Sequence, residues 1–292
     1  MMSWLFFACV DTDVRKDTAS TNQPPAVISG YCDEPELSHL PNGNIDCLED
    51  KCFVQEGAFW MGSSLSVDEC PVHQVTLDAF YIDAYEVTNR RWNLCVQSGA
   101  CNPMPSSCMP YQAGYGLDQP DVLPVVCITW PEAATFCSWT GGRLPTEAEW
   151  EKASRGTEGA VYAWGSEAPN CDLANFRLAS THCYQNIAPV GYFAESRSAY
   201  GLWDTNGNVF EWTSDYYDAN FYEESPETNP LGPEDQCRLF HTEADGECTK
   251  KVLRGGAYNT TADVIRSGAR SFSDIETIDD NIGFRCAYDS RD

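Results

Sequence analysis

The sequence predicts an α+β fold that is loop-rich, has few short helices and strands, and is stapled by disulfides. Three observations carry this expectation. Capped helical periods occur only in the first half of the chain, strand-like pieces are short and scattered, and cysteines are frequent. Fifteen Cys stand among 292 residues, with 9 Trp, 14 Tyr and 13 Phe to fill a sizeable core. No CxxC pair and no Cys/His cluster of zinc spacing occurs. So many thiols without a metal pattern point to disulfides formed in an oxidising, extracytoplasmic compartment.

Residues 1–9 close an apolar run with Ala8 before Cys9, a pattern similar to the lipobox of a bacterial lipoprotein signal and too short to span a bilayer. The expectation is a lipid-anchored protein, at the outer membrane or cell surface, with Cys9 as the lipidated residue; a secreted form is the alternative. Residues 10–52 read as a flexible tether, "TASTNQPPA", followed by an N-terminal arm that carries Cys32, Cys47 and Cys52. A globular domain is expected over 53–288.

In "HQVTLDAFYID" Val75 and Leu77 share one side of a strand. "TNRRWNLCVQSG" predicts a helix with Thr88 as N-cap and Gly99 beyond its end. "WPEAATFCSWTGG" predicts a second, with Pro131 in the first turn and Gly141 stopping it. In "PTEAEWEKASRG" Thr146 and Glu149 have capping-box spacing, and Gly156 sits where a left-handed C-cap is wanted. Beyond Gly156 no helical signal is present. "KVLRGGAY" and "GFRCAYD" are the strand-like pieces of the second half.

In this order the chain carries "FVQEGAFWMGS", "HQVTLDAFYIDAYEVTN", "PVVCITWPEAATFCSWTGGRLPTEAEWEKASRG", "GLWDTNGNVFEWTSDYY", "VLRGGAY" and "NIGFRCA". Together these blocks resemble the formylglycine-generating enzyme (sulfatase-modifying factor) family. The resemblance implies a variant of the C-type-lectin fold over most of the chain. It also implies a test for activity, because members that oxidise a sulfatase cysteine carry two copper(I)-binding cysteines after the RGG turn. Copper(I) prefers such soft thiolate ligands. Here the corresponding positions hold Thr260 and Ile265, and no Cys lies between Cys248 and Cys286. The oxidase site is therefore absent and no copper is expected.

The resemblance further implies a calcium loop in "WDTNGNVFEW", with carboxylates from Asp204 and Glu211 and carbonyls from Gly207 and Val209. A weaker calcium position would use Asn175 and the carbonyl of Phe176, although His182 stands where an Asp is expected. The family also implies a bridge between Cys137 and Cys286, and places Ser154 and Ser267 where a second family bridge would be. Among the other cysteines, short-range pairing of Cys171 with Cys183, Cys237 with Cys248, Cys95 with Cys101 and Cys108 with Cys127 is expected, leaving 32, 47, 52 and 70 to pair among themselves. Spacing does not fix that connectivity.

Forty-four acidic against 18 basic residues give a net charge of −26, which repels nucleic acid and anionic lipid surfaces. The four His are too scattered for HExxH, and neither a serine-hydrolase elbow nor a phosphate loop is present. Glu147 and Glu149 lie on the third helix and read as structural acids tied to Arg143 and the core. The expected function is a non-catalytic, calcium-stabilised binding or structural module for a protein, peptide or glycan ligand. Loops 102–120 and 215–250, the latter with Tyr216, Tyr217, Phe221 and Tyr222, are the candidate contact surfaces. The alternative is an oxidoreductase of the same family acting on a protein or peptide through a non-standard site.

Overall fold

The computed structural model describes residues 30–108, 120–184, 186–233 and 250–289. Cys9, the stretch 10–29, Cys237, Cys248 and the centres of both candidate contact loops lie outside the described residues.

Four strands make the first sheet: β1 (Cys47–Leu48), β2 (Lys51–Val54), β5 (Phe80–Asp83) and β12 (Ala287–Tyr288), in the order β1-β2-β5-β12 and antiparallel throughout. The chain's last strand thus closes a sheet begun by its first. A hairpin of β3 (Gly57–Met61) and β4 (His73–Leu77) lies beside it. The alternation anticipated for β4 is present: Val75 and Leu77 are buried, whereas Gln74 and Thr76 face outward.

Three helices follow the capping signals. α1 (Asn89–Ser98) starts at Thr88, whose Oγ1 accepts the Arg91 amide at 3.4 Å, and ends at Gly99 in the left-handed conformation. In α2 (Trp130–Trp139) the Glu132 carboxylate accepts the Thr129 amide at 3.1 Å. α3 (Glu147–Arg155) has the full reciprocal capping box between Thr146 and Glu149. Gly156 departs from the expected left-handed cap. Its φ is 77° but its ψ is −160°, because the backbone of Asn42 packs against it; a Cβ there would lie 2.5 Å from the Asn42 carbonyl oxygen. Among the described residues the second half adds a helical turn that the sequence does not signal, α4 (Phe221–Glu224).

After a small hairpin, β6 (Arg177–Leu178) and β7 (Thr181–His182), the second sheet is built from β8 (Phe210–Tyr216), β9 (Lys250–Arg254), β10 (Ser271–Asp274) and β11 (Ile282–Gly283), ordered β10-β9-β8-β11 with β11 parallel to β8. One core cluster stacks Trp92, Phe136 and Phe284 around the Cys137–Cys286 bridge. A second packs Val54, Phe59, Phe80 and Tyr200 against Ala148 and Ala153 of α3. Each such side chain contributes about 1.5–3 kcal/mol by leaving water.

Every residue of α3 is buried despite the polar sequence EAEWEKASR. Its charges are all matched. Glu147 meets Arg254 and Arg270, Glu149 meets Arg143, and Glu151 meets Arg155 and Arg254. Lys152 donates to the carbonyls of Gln55 and Gly57, both at 2.8 Å. These ions are costly to bury singly and are tolerated because every partner is present.

Six disulfides staple the described residues: Cys32–Cys70, Cys47–Cys52, Cys95–Cys101, Cys108–Cys127, Cys137–Cys286 and Cys171–Cys183. The arm 30–46 has no regular structure but is tied down along its length. Besides Cys32, Tyr31 donates its amide to Ser64 O, His39 bonds the carbonyls of Glu158 and Gly159, and Asn42 Oδ1 accepts from Thr157.

Candidate functional site

β9 ends in the turn Arg254-Gly255-Gly256, and the loop after it is where the resemblance would put reactive sulfur. Thr260 turns its hydroxyl inward: Oγ1 donates to Ala257 O at 2.8 Å and accepts the Ala257 amide at 3.0 Å. Ile265 is 0% exposed and packs with Tyr162, Ala174 and Phe176. Neither position offers a group to a copper ion or to a substrate thiol, and every cysteine among the described residues is in a disulfide. Arg254 is a core residue, with both Nη atoms committed to Glu147, Glu151 and backbone carbonyls.

The second expected site lies on the loop entering β8. Asp204 and Asn208 both adopt positive φ (59° and 64°) around Gly207 at 96°, a backbone conformation that is uncommon for side-chain-bearing residues. A Cβ on Gly207 would overlap the Asn175 carbonyl, so glycine is obligatory there.

Of the two expected carboxylates, Glu211 is engaged by protein partners. Arg285 grips it at 2.6 and 2.7 Å, and the Trp150 indole N–H donates to it at 2.8 Å. Its oxygens are consumed by a buried ion pair with a partner 74 residues away in sequence. The weaker position fares similarly. Asn175 spends its oxygen on the Tyr184 amide, and the Phe176 carbonyl accepts from Cys183. His182 is exposed on β7 and edges against Tyr258.

A further buried acid, which sequence reasoning passed over, neighbours Asp204. Glu86, in the turn between β5 and α1, is 1% exposed. Its Oε1 accepts from Asn208 Nδ2 at 3.0 Å, while its Oε2 is buried with no partner. Burial, then the neighbouring Asp204, push the Glu86 carboxyl far above the usual carboxylate range. Burial likewise pushes Asp204 up to about 6, although its Oδ2 accepts the Gly191 amide at 2.6 Å. Three acids, Glu86, Asp204 and Glu211, therefore share one buried region with the single cation Arg285. A divalent cation would satisfy the orphaned oxygen and cancel the excess charge. No three His, Cys, Asp or Glu groups converge as ligands among the described residues. Such an ion would lean on the two carboxylates Glu86 and Asp204 and on loop carbonyls. The only sequence signal for Glu86 is an acid between Ala84 and Val87, both buried.

The profile of the family described as "Sulfatase-modifying factor enzyme 1-like domain" matches residues 39–290. The chain belongs to this family. The chain is 31% identical to the formylglycine-generating enzyme of Streptomyces coelicolor, over 80% of this chain and 87% of that protein. It is also similar to the mouse protein named inactive C-alpha-formylglycine-generating enzyme 2, at 27% identity over 90% of this chain and 89% of that one. A Chlamydia trachomatis protein named serine/threonine-protein kinase Pkn1 is 34% identical over 83% of this chain, which spans 38% of that longer protein. Among solved structures, PvdO from Pseudomonas aeruginosa superposes with a TM-score of 0.67 at 24% identity, covering 86% of this chain and 99% of PvdO. The fold is the formylglycine-generating-enzyme variant of the C-type-lectin architecture.

Proposed function

We propose that this chain is a non-catalytic, calcium-stabilised member of its family that works as an extracytoplasmic, lipid-anchored binding module. The observation that carries this reading is the sealed loop after the RGG turn. Ile265 is packed in the core and the Thr260 hydroxyl is turned back on its own backbone. Copper(I) chemistry on a substrate thiol needs soft, accessible sulfur, and this loop supplies none. Support for the compartment comes from the six disulfides, which persist only where thiols are not kept reduced.

Calcium fits Glu86, Asp204 and the carbonyls of Gly207 and Val209 by charge and by the hardness of the oxygens. Bound there it would act on stability. Ionised Glu86 and Asp204 would cease to be unneutralised buried charges.

Mass spectrometry of a sulfatase-type cysteine peptide, incubated with the protein, copper and oxygen, tests the absence of catalysis. The expected peptide mass is that of the unmodified thiol. The mass loss of an aldehyde would establish the family's oxidase reaction through a non-standard site and overturn the reading.

A further inference from the structure

A concavity among the described residues lies away from both loops just described. It is a cleft of about 860 Å³, floored by the turn between β4 and β5, walled by α2 on one side and by Asn229–Leu231 on the other. Its size falls within the range of built ligand sites, roughly 300–1,000 Å³. It shares no residue with the loop at 257–265 or with the calcium loop.

Two properties define what it would accept. The first is apolar surface left uncovered by the described residues. Leu231, on the rim, is 71% exposed. Trp130, in the wall, has its indole N–H bonded to Thr213 O at 2.7 Å and Lys251 Nζ 4.3 Å from its ring centroid. What Trp130 has left to offer the cleft is apolar. The second property is charge. Asp78, Glu149 and Asp289 line the cleft against one cation, Arg143. Arg143 is saturated by both oxygens of Glu149 at 2.7 Å on its inner side and by Asp289 Oδ1 at 2.9 Å on its outer side. The cleft therefore carries two carboxylates in excess, and Asp289 is held only at an 84% exposed site.

We propose that this cleft is a docking site for a partner polypeptide segment in which apolar side chains alternate with lysine or arginine. The apolar side chains fill the space between Trp130 and Leu231, and the cations meet Asp78 and Asp289. A second copy of this chain suits the cleft poorly, since two molecules each of net charge −26 repel. The inference rests on the binding-module reading and names its partner class.

The test is fluorescence anisotropy with the full chain and three fluorescein-labelled hexapeptides, alternating Leu with Lys, Leu with Glu, and Ser with Lys. The Leu/Lys peptide should bind at least tenfold more tightly than the other two, and several-fold more weakly in 500 mM than in 50 mM salt. Ser138→Trp, on the exposed face of α2 lining the cleft, should abolish binding without lowering Tm, and Leu231→Ser should weaken it several-fold. Equal binding of the Leu/Glu or Ser/Lys peptide, or wild-type affinity in Ser138→Trp, would overturn the proposal while leaving the module reading intact. Sedimentation showing a dimer that Ser138→Trp dissolves would also overturn it, giving the cleft to a second copy. Aldehyde formation on a sulfatase-type peptide would instead remove the module reading and leave the peptide titration to stand or fall separately.

Discussion

Ser154 Oγ donates to Ser267 Oγ at 2.9 Å in the fully buried space between α3 and the loop after the RGG turn. Ser267 also accepts Asn206 Nδ2 at 3.0 Å, so the two serines are part of one satisfied polar knot. Ser267→Ala should therefore cost about 1–3 kcal/mol by leaving the Ser154 hydroxyl without its acceptor and Asn206 Nδ2 with the Ile265 carbonyl alone. Replacing both serines by cysteine should yield a bridge across 113 residues, worth up to about 4–5 kcal/mol. A 2 Da mass decrease on oxidation and a higher Tm without reductant are the expected readouts; two titratable thiols in the oxidised variant would show that the geometry does not close.

Asp215 accepts the Glu147 amide at 2.9 Å beneath α3, and burial, reinforced by the Glu147 charge, pushes its carboxyl up to about 7. Its native pKa exceeds the unfolded value near 3.8, so the folded state binds this proton more tightly. The associated stability is fully present below about pH 4 and is lost as pH rises towards and through 7. Asp215→Asn should remove that dependence. The stability difference between wild type and variant should change by up to about 1.4 kcal/mol per pH unit between pH 4 and 7, measured by urea unfolding. Parallel curves for the two proteins would contradict it.

Glu86 and Glu211 should separate in their response to calcium. At a hundred times Kd, calcium stabilises by about 2.7 kcal/mol, so chelation should lower the wild-type Tm by about 5 °C. Glu86→Gln keeps the Asn208 bond but not the charge, and should melt at one temperature with or without chelator. Glu211→Gln should instead lose about 3–5 kcal/mol in both conditions, because it removes the charge of Arg285's direct buried partner. A calcium-dependent loss confined to Glu211→Gln would return that residue to the ion.

Gly156→Ala should loosen the N-terminal arm. The substitution forces a side chain into positive φ and against the Asn42 backbone, at a cost of at least about 1 kcal/mol. Limited proteolysis should then cut within 30–46 faster than in wild type, with Cys32–Cys70 still formed.

Local chemistry was readable from the sequence where it acts over a few residues. Thr88, Thr146 and Glu149 announce their helices because a cap and its amides lie within one turn. What was illegible depends on distant partners. β11 runs parallel to β8 across some seventy residues, and no local pattern specifies that pairing. That Glu211 pairs with Arg285 is hidden from local reading because the two lie 74 positions apart. Glu86 was missed for the opposite reason, since one acid in an apolar run carries no signal until folding surrounds it. The aromatics of 215–250 were read as candidate contacts. Tyr222 is in fact buried, with its hydroxyl on Glu147, and Tyr217 bonds Asp68.

The edge position of β12 has a consequence for biogenesis. Strands 47–54 and 80–83 emerge early from the ribosome, yet the strand that completes their sheet, and Cys286 beside it, are made after every other described element. A nascent chain that has not yet reached Phe284 lacks the side chain that Trp92 and Phe136 pack against. Vectorial synthesis therefore leaves the first sheet without its closing strand until the chain reaches Tyr288. Cys137, if oxidised before Cys286 is made, has only non-native partners, so disulfide isomerisation should limit the yield of the native protein.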